Sequence, residues 1–196
     1  MEEIELKKQK LDVTFKDSLR SVEDRRLFDL SVEILQQLFP DHFFGDKMFV
    51  ADRAFGFRND DKFVEVFNEI AKAEMYQGMA WRVHTLAWAG KTALNLQGDF
   101  VECGVFRGFK SYFLLSYLAD QWKSQKFWLY DTYEGIAGAY SQGSPISAAE
   151  HSKPGLHEFV IERFSPFPHA KVIKGIVPDI LEHECPDKVS FLHLDM

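Results

Sequence analysis

From Gly98 onward, four short apolar stretches, DFVEC (99–103), KFWLYD (126–131), KVIKGI (171–176) and KVSFLHL (188–194), alternate with two longer ones of helical character, GFKSYFLLSYLADQW (108–122) and GLHEFVIERF (155–164). This alternation constrains the fold more than any other feature. Strands separated by helices pair in parallel, because the chain must cross a face of the sheet before the next strand begins. The expected architecture is α/β, with a doubly wound parallel sheet. Ligands of such sheets sit at the carboxyl ends of the strands, near the reversal in strand order. Chemistry is therefore expected at the end of DFVEC.

The texture before Gly98 is different. In SVEDRRLFDLSVEILQQLFP, Ser21 and Asp24 have the spacing of a capping box, Leu27, Leu30, Ile34, Leu35 and Leu38 recur at helical spacing, and Pro40 ends the run. DKFVEVFNEIAKA (61–73) and QGMAWRVHTLAWAGKTALN (77–95) continue the helical pattern. Between them and the first helix lies FPDHFFGDKMFVADRAFGF, read as an irregular packed connection, with a lid over a pocket as the alternative. The division expected is a helical extension over residues 1–75 and an α/β core over 76–196.

Composition narrows the ligand. The net charge of -7 and a pI near 5.5 argue against nucleic acid or an anionic membrane surface, both of which select concentrated positive charge. Cys103 and Cys185 are the only cysteines, which excludes a disulfide framework and suggests a reducing, cytoplasmic setting. The start MEEIELKKQK lacks an apolar signal region, and no run approaches the roughly 18 apolar residues of a membrane span. A soluble protein with a small neutral or cationic ligand is expected.

VECGVFRGFKS (101–111) is the candidate binding loop. It differs from a phosphate loop in the spacing of its glycines and in Phe109 between Gly108 and Lys110, and Glu102 would repel phosphate. A dinucleotide fingerprint needs a middle glycine for the pyrophosphate, and Phe106 stands there. What remains is E-C-G-x-x-x-G: Gly104 for a tight turn, Gly108 for close approach at the helix start. That pattern suits an adenosine ligand without a pyrophosphate. S-adenosylmethionine is one, and its ammonium and cationic sulfur favour an acid such as Glu102. Asp131, ending the second strand, is placed to accept from both ribose hydroxyls. NAD enzymes use the same acid, so a nicotinamide cofactor stays open as a lesser reading.

GDFVECGVFRGFKS, LYDTYEG and VSFLHLDM, in that order, resemble the macrocin O-methyltransferase family of class I S-adenosylmethionine-dependent methyltransferases, whose segments are of the GDFVECGVW, YDTFEG and LHLDxDLY types. The resemblance covers roughly residues 76–196 and implies a Rossmann-like methyltransferase sheet with a metal-dependent O-methyltransferase activity on a small hydroxylated acceptor, often a natural-product sugar. It also implies site roles. Glu102, Gly104, Val105, Phe106 and Gly108 would line the methionine side of the cofactor, with a backbone N–H at Ser111 near its carboxylate. Asp131 and Thr132 would hold the ribose, Gly175 and Ile176 would lie near the adenine, and Tyr76 would meet the carboxylate, with Arg82 a weaker candidate. Asp195 would bind a divalent metal, magnesium by expectation, and take the acceptor's proton. Members continue beyond this last motif, whereas the sequence ends at Met196. A C-terminally truncated chain is therefore expected, whose fourth strand forms an unprotected edge unless a partner chain covers it.

Other residues have plainer readings. His151 and His157 belong to AYSQGSPISAAEHSKPGLHEF, a candidate mobile lid, where His151 reads as a solvated histidine before it reads as a base. His84, between Trp81 and Trp88, and His193, alternating with Phe191, read as structural. Lys110 and Ser111 read as the start of a helix. The 19 Phe read as core first and as an acceptor pocket or dimer face second, which leaves a homo-oligomer open. The contrasting function is a noncatalytic binding or assembly module that keeps the nucleotide fold with an incomplete site.

Overall fold

The computed structural model describes residues 21–46, 48–74, 76–135 and 153–196. The chain divides into two compact units, Met1–Thr85 and Leu86–Met196.

In the first unit, α1 (Val22–Leu38) opens with the capping box expected of Ser21 and Asp24: the Ser21 hydroxyl accepts from the Asp24 N–H, and the Asp24 carboxylate accepts from the Ser21 N–H. Its packed face is not the expected one. Val32 is buried, Phe28 meets Phe44 with ring centroids 5.9 Å apart, and Leu27, Leu30, Ile34 and Leu38 are exposed. The docked stripe runs through Phe28 and Val32 and takes in the half-buried Leu35, the one predicted position it shares.

The stretch read as an irregular connection contains a β-hairpin, β1 (His42–Gly45) paired antiparallel with β2 (Met48–Ala51). Asp46, at φ 50°, turns the chain after Gly45. The carboxylate of Asp46 accepts from the backbone N–H of Arg82 at 3.0 Å and pairs with its guanidinium at 3.0 Å. Gly45 comes so close to the Gly78 carbonyl that a Cβ there would lie 2.4 Å from its oxygen. The hairpin is thus fastened to the segment that leads into α3 (Ala80–Ala93). α2 (Asp61–Glu74) begins where Asp60 accepts from the Phe63 N–H at 2.9 Å. Phe43, Phe57, Phe63 and Phe67 are buried, and Trp81 and His84 pack on this aromatic cluster. Burial holds His84 below the ordinary histidine range, partly opposed by Asp60, as its structural reading requires.

The second unit is the α/β core. β3 (Asp99–Cys103), β4 (Phe127–Asp131), β5 (Ala170–Lys174) and β6 (Val189–Leu194) form a parallel sheet in the order β5-β4-β3-β6. α4 (Phe109–Tyr117) and α5 (Leu156–Phe164) supply crossover helices. One face buries Phe100, Phe127, Leu129 and Phe191; the other buries Val101, Cys103, Trp128, Tyr130 and Ile173, with Val177, Ile180 and Leu181 packed on it. Burial on both faces explains why β3 and β4 read as nearly continuous apolar runs. The chain builds outward from β3 through β4 to β5 and then returns to the other side of β3. The strand order therefore reverses between β3 and β6, and the crevice expected of this architecture lies at their carboxyl ends. β6 is an edge of the described sheet, with Val189, Leu192 and Leu194 exposed.

Candidate functional site

Three segments meet at the carboxyl ends of β3, β4 and β6. After β3 the chain turns at Gly104, φ 88°, and again at Gly108, φ 73°, before α4 begins. Both glycines have a further steric reason. A Cβ on Gly104 would lie 2.2 Å from the Asp195 carbonyl oxygen, and one on Gly108 would lie 2.4 Å from the Phe164 ring. The close approach predicted at Gly108 is thus made by a side chain of α5, and Gly104, predicted for a tight turn, is also approached by the Asp195 carbonyl just after β6.

Asp131 ties the loop after β3 to the loop after β4. Its Oδ2 accepts the Phe106 N–H at 2.8 Å and its Oδ1 accepts the Tyr133 N–H at 2.7 Å. Phe106 and Tyr133 both sit at positive φ, 50° and 55°, conformations that side chains other than glycine adopt only when surrounding contacts hold them. Each carboxylate oxygen has capacity for another donor. Val105, within the loop, is buried. Thr132 donates through Oγ1 to the Gly135 carbonyl at 2.6 Å, shaping the turn that follows. Gly175 donates its N–H to the Asp131 carbonyl at 2.9 Å, and Ile176 beside it is exposed. Burial, followed by the charges of Asp131 and Glu102, pushes the Tyr133 hydroxyl well above the ordinary tyrosine range, so this phenol stays neutral.

Glu102 is placed by register. Opposite His193 in the β3–β6 pairing, it points to the same face of the sheet as that residue. Its Oε1 lies 2.9 Å from His193 Nδ1, and its Oε2 accepts from the Ser111 hydroxyl of α4. At 1% exposure, this carboxylate is engaged on both oxygens by its own chain. It also pushes the neighbouring Cys103 thiol upward, in addition to the larger effect of burial. Sequence reasoning put Glu102 and Ser111 near a ligand; the structure joins them to each other and to His193, which keeps its structural reading.

Asp195 follows directly on β6. Its N–H donates to the Cys103 carbonyl at 2.9 Å, which continues the β3–β6 pairing and sets the residue beside Gly104. Its carboxylate pairs with the Lys110 ammonium, the two side chains being 42% and 10% exposed. Lys110 is the residue sequence reasoning missed. It lies in the helix as expected, and the signal available was its position in the first turn, facing the strand end where an acid was predicted. The divalent metal expected at Asp195 does not fit the described residues. An ammonium already engages the carboxylate, and no group of three or more His, Cys, Asp or Glu among the described residues could hold a metal.

Tyr76 and Arg82 belong to the first unit; Tyr76 donates its N–H to the Ala71 carbonyl at 3.1 Å and Arg82 pairs with Asp46. His151 lies outside the described residues, and His157 stacks on Tyr133 at 4.8 Å. No helix among the described residues is long and apolar enough to cross a membrane.

A parallel α/β sheet whose strand order reverses beside its first strand, with a glycine-turned loop and a strand-end acid gripping that loop, defines a protein of the doubly wound, Rossmann-like α/β class. More particularly, the macrocin-O-methyltransferase (TylF) family model matches residues 81–195, more than half of the chain, and the chain belongs to that family. Among solved structures it is similar to the O-methyltransferase NovP, at 18% identity and a TM-score of 0.47, over 61% of this chain. It spans 55% of that protein's length. No curated protein matches it.

Proposed function

We propose that this chain carries the cofactor half of an S-adenosylmethionine-dependent O-methyltransferase acting on a hydroxyl of a small acceptor, such as a natural-product sugar. The observation that carries this reading is the Asp131 carboxylate accepting from both the Phe106 and Tyr133 N–H groups, which holds the two family segments as one surface at the strand ends. Family membership supports the reaction class. The absence of a middle glycine at Phe106 disfavours a pyrophosphate ligand.

S-adenosylmethionine supplies an electrophilic methyl group on a cationic sulfur: the acceptor oxygen bonds to the methyl carbon as the carbon–sulfur bond breaks, leaving a neutral thioether. The chain's own residues orient and deprotonate. Asp131 accepts from the ribose hydroxyls with the capacity its two backbone bonds leave, and Thr132 flanks it. Glycines 104 and 108 shape the loop in which Val105, Phe106 and the Ser111 N–H lie, and Gly175 and Ile176 border the adenine side. Asp195 takes the proton that the acceptor hydroxyl loses, and alignment of the two substrates supplies much of the acceleration. Metal assistance enters this proposal only with oxygen ligands from outside the described residues.

Calorimetry with S-adenosylhomocysteine tests the reading. Binding is expected, and Asp131→Ala is expected to weaken it by about tenfold or more, since a group hydrogen-bonded to both ligand and loop is lost. A folded chain that gives no heat with either form of the cofactor would overturn it. The engagement of Asp195 by Lys110 favours a second reading, a noncatalytic binding module. Cofactor binding without transfer of labelled methyl groups to any of a panel of glycosides would select that one.

A further inference from the structure

Among the described residues, the acid at the end of β6, Asp195, is already paired. Lys110 stands in the first turn of α4, on a side chain that is almost wholly buried, and its ammonium meets the Asp195 carboxylate. The position is not accidental to one rotamer. Asp195 is fixed through its N–H to Cys103 and through its carbonyl against Gly104, and α4 starts from the far end of that same glycine loop. Both partners are therefore mounted on the β3 strand end.

A lysine ammonium is a compact point charge with three donors. A small divalent cation needs a carboxylate oxygen in its own coordination shell, at about 2.0–2.1 Å for magnesium. The two cannot share one oxygen without strong repulsion between like charges, and a buried lysine stem has little room to swing aside. We propose that the Lys110 ammonium is the resident cation at Asp195 and that it excludes divalent metal from the end of β6. In that position it fixes the orientation of the Asp195 carboxylate at the strand end. Lys110 is on this account a positioning residue whose catalytic meaning rests on the function proposed above; its test does not.

The probe is Mn²⁺, followed by electron paramagnetic resonance of the free ion, with the full chain at neutral pH. Lys110→Met is expected to bind Mn²⁺ about tenfold or more tightly than the unsubstituted chain, because a like charge beside the carboxylate is removed. The gain should vanish in Lys110→Met combined with Asp195→Asn, and Lys110→Arg, which keeps the charge, should behave like the unsubstituted chain. Circular dichroism establishes folding, and Lys110→Gln carries the same expectation should the methionine variant not fold. A Lys110 variant that binds Mn²⁺ no better than the unsubstituted chain, whether both bind or neither does, overturns the proposal. A gain that survives Asp195→Asn overturns it as well. Calorimetry with S-adenosylhomocysteine on the same samples reports separately on the cofactor reading.

Discussion

Gly104 carries two demands at once, a φ of 88° and the Asp195 carbonyl where a Cβ would project. Gly104→Ala is therefore expected to destabilise the chain by about 2 kcal/mol or more, combining left-handed strain with a backbone clash; urea denaturation checks it. Glu102→Ala removes a buried carboxylate that satisfies Ser111 and His193. A loss of about 1–3 kcal/mol is expected, the ordinary penalty for stranding buried polar partners, while Glu102→Gln, which keeps one acceptor, should lose less. Gly104 and Asp131 are legible in the sequence because their demands are local: a turn directly after a strand, an acid directly ending one. Lys110 and Asp195 are 85 positions apart, and His193 reaches Glu102 only through the strand register. Neither pairing leaves a local pattern, so Glu102 reads as a ligand group when its own chain has already engaged it.

At the level of elements, the four core strands are legible to within one or two residues because each is a short apolar run bounded by turns, and in β3 and β4 burial on both faces accounts for that run. The hairpin β1–β2 is missed because its aromatic residues mask any alternation, and its signal was the Gly45–Asp46 turn between two apolar pairs. The strand β5 supplies a pH prediction. His169, just before it, stacks on Trp122 at 5.0 Å, and burial holds it below the ordinary histidine range. Its folded value is depressed, so the unfolded chain binds more protons once the pH drops below about 6.5. The stability tied to its neutral form is present above that value and is lost as the pH falls toward the folded value. Urea midpoints at neutral and mildly acidic pH should converge in His169→Phe relative to the parent; an unchanged difference would assign the acid sensitivity elsewhere.

The whole molecule carries a net charge of -7 with a pI near 5.5, so the repulsion between copies that favours solubility at neutral pH fades on acidification. Turbidity is expected to peak near pH 5.5 and to fall on either side. The apolar residues exposed on the edge strand β6 add to the association that follows when charge is lost. The grip of Asp131 on both loops has a further consequence at this scale. Its carboxylate is oriented before any ligand arrives, so it cannot rotate to recover a bond that a ligand fails to offer. On the cofactor reading, a sugar-modified analogue lacking one ribose hydroxyl forfeits that contact outright, and the strand end acts as a gauge of the sugar.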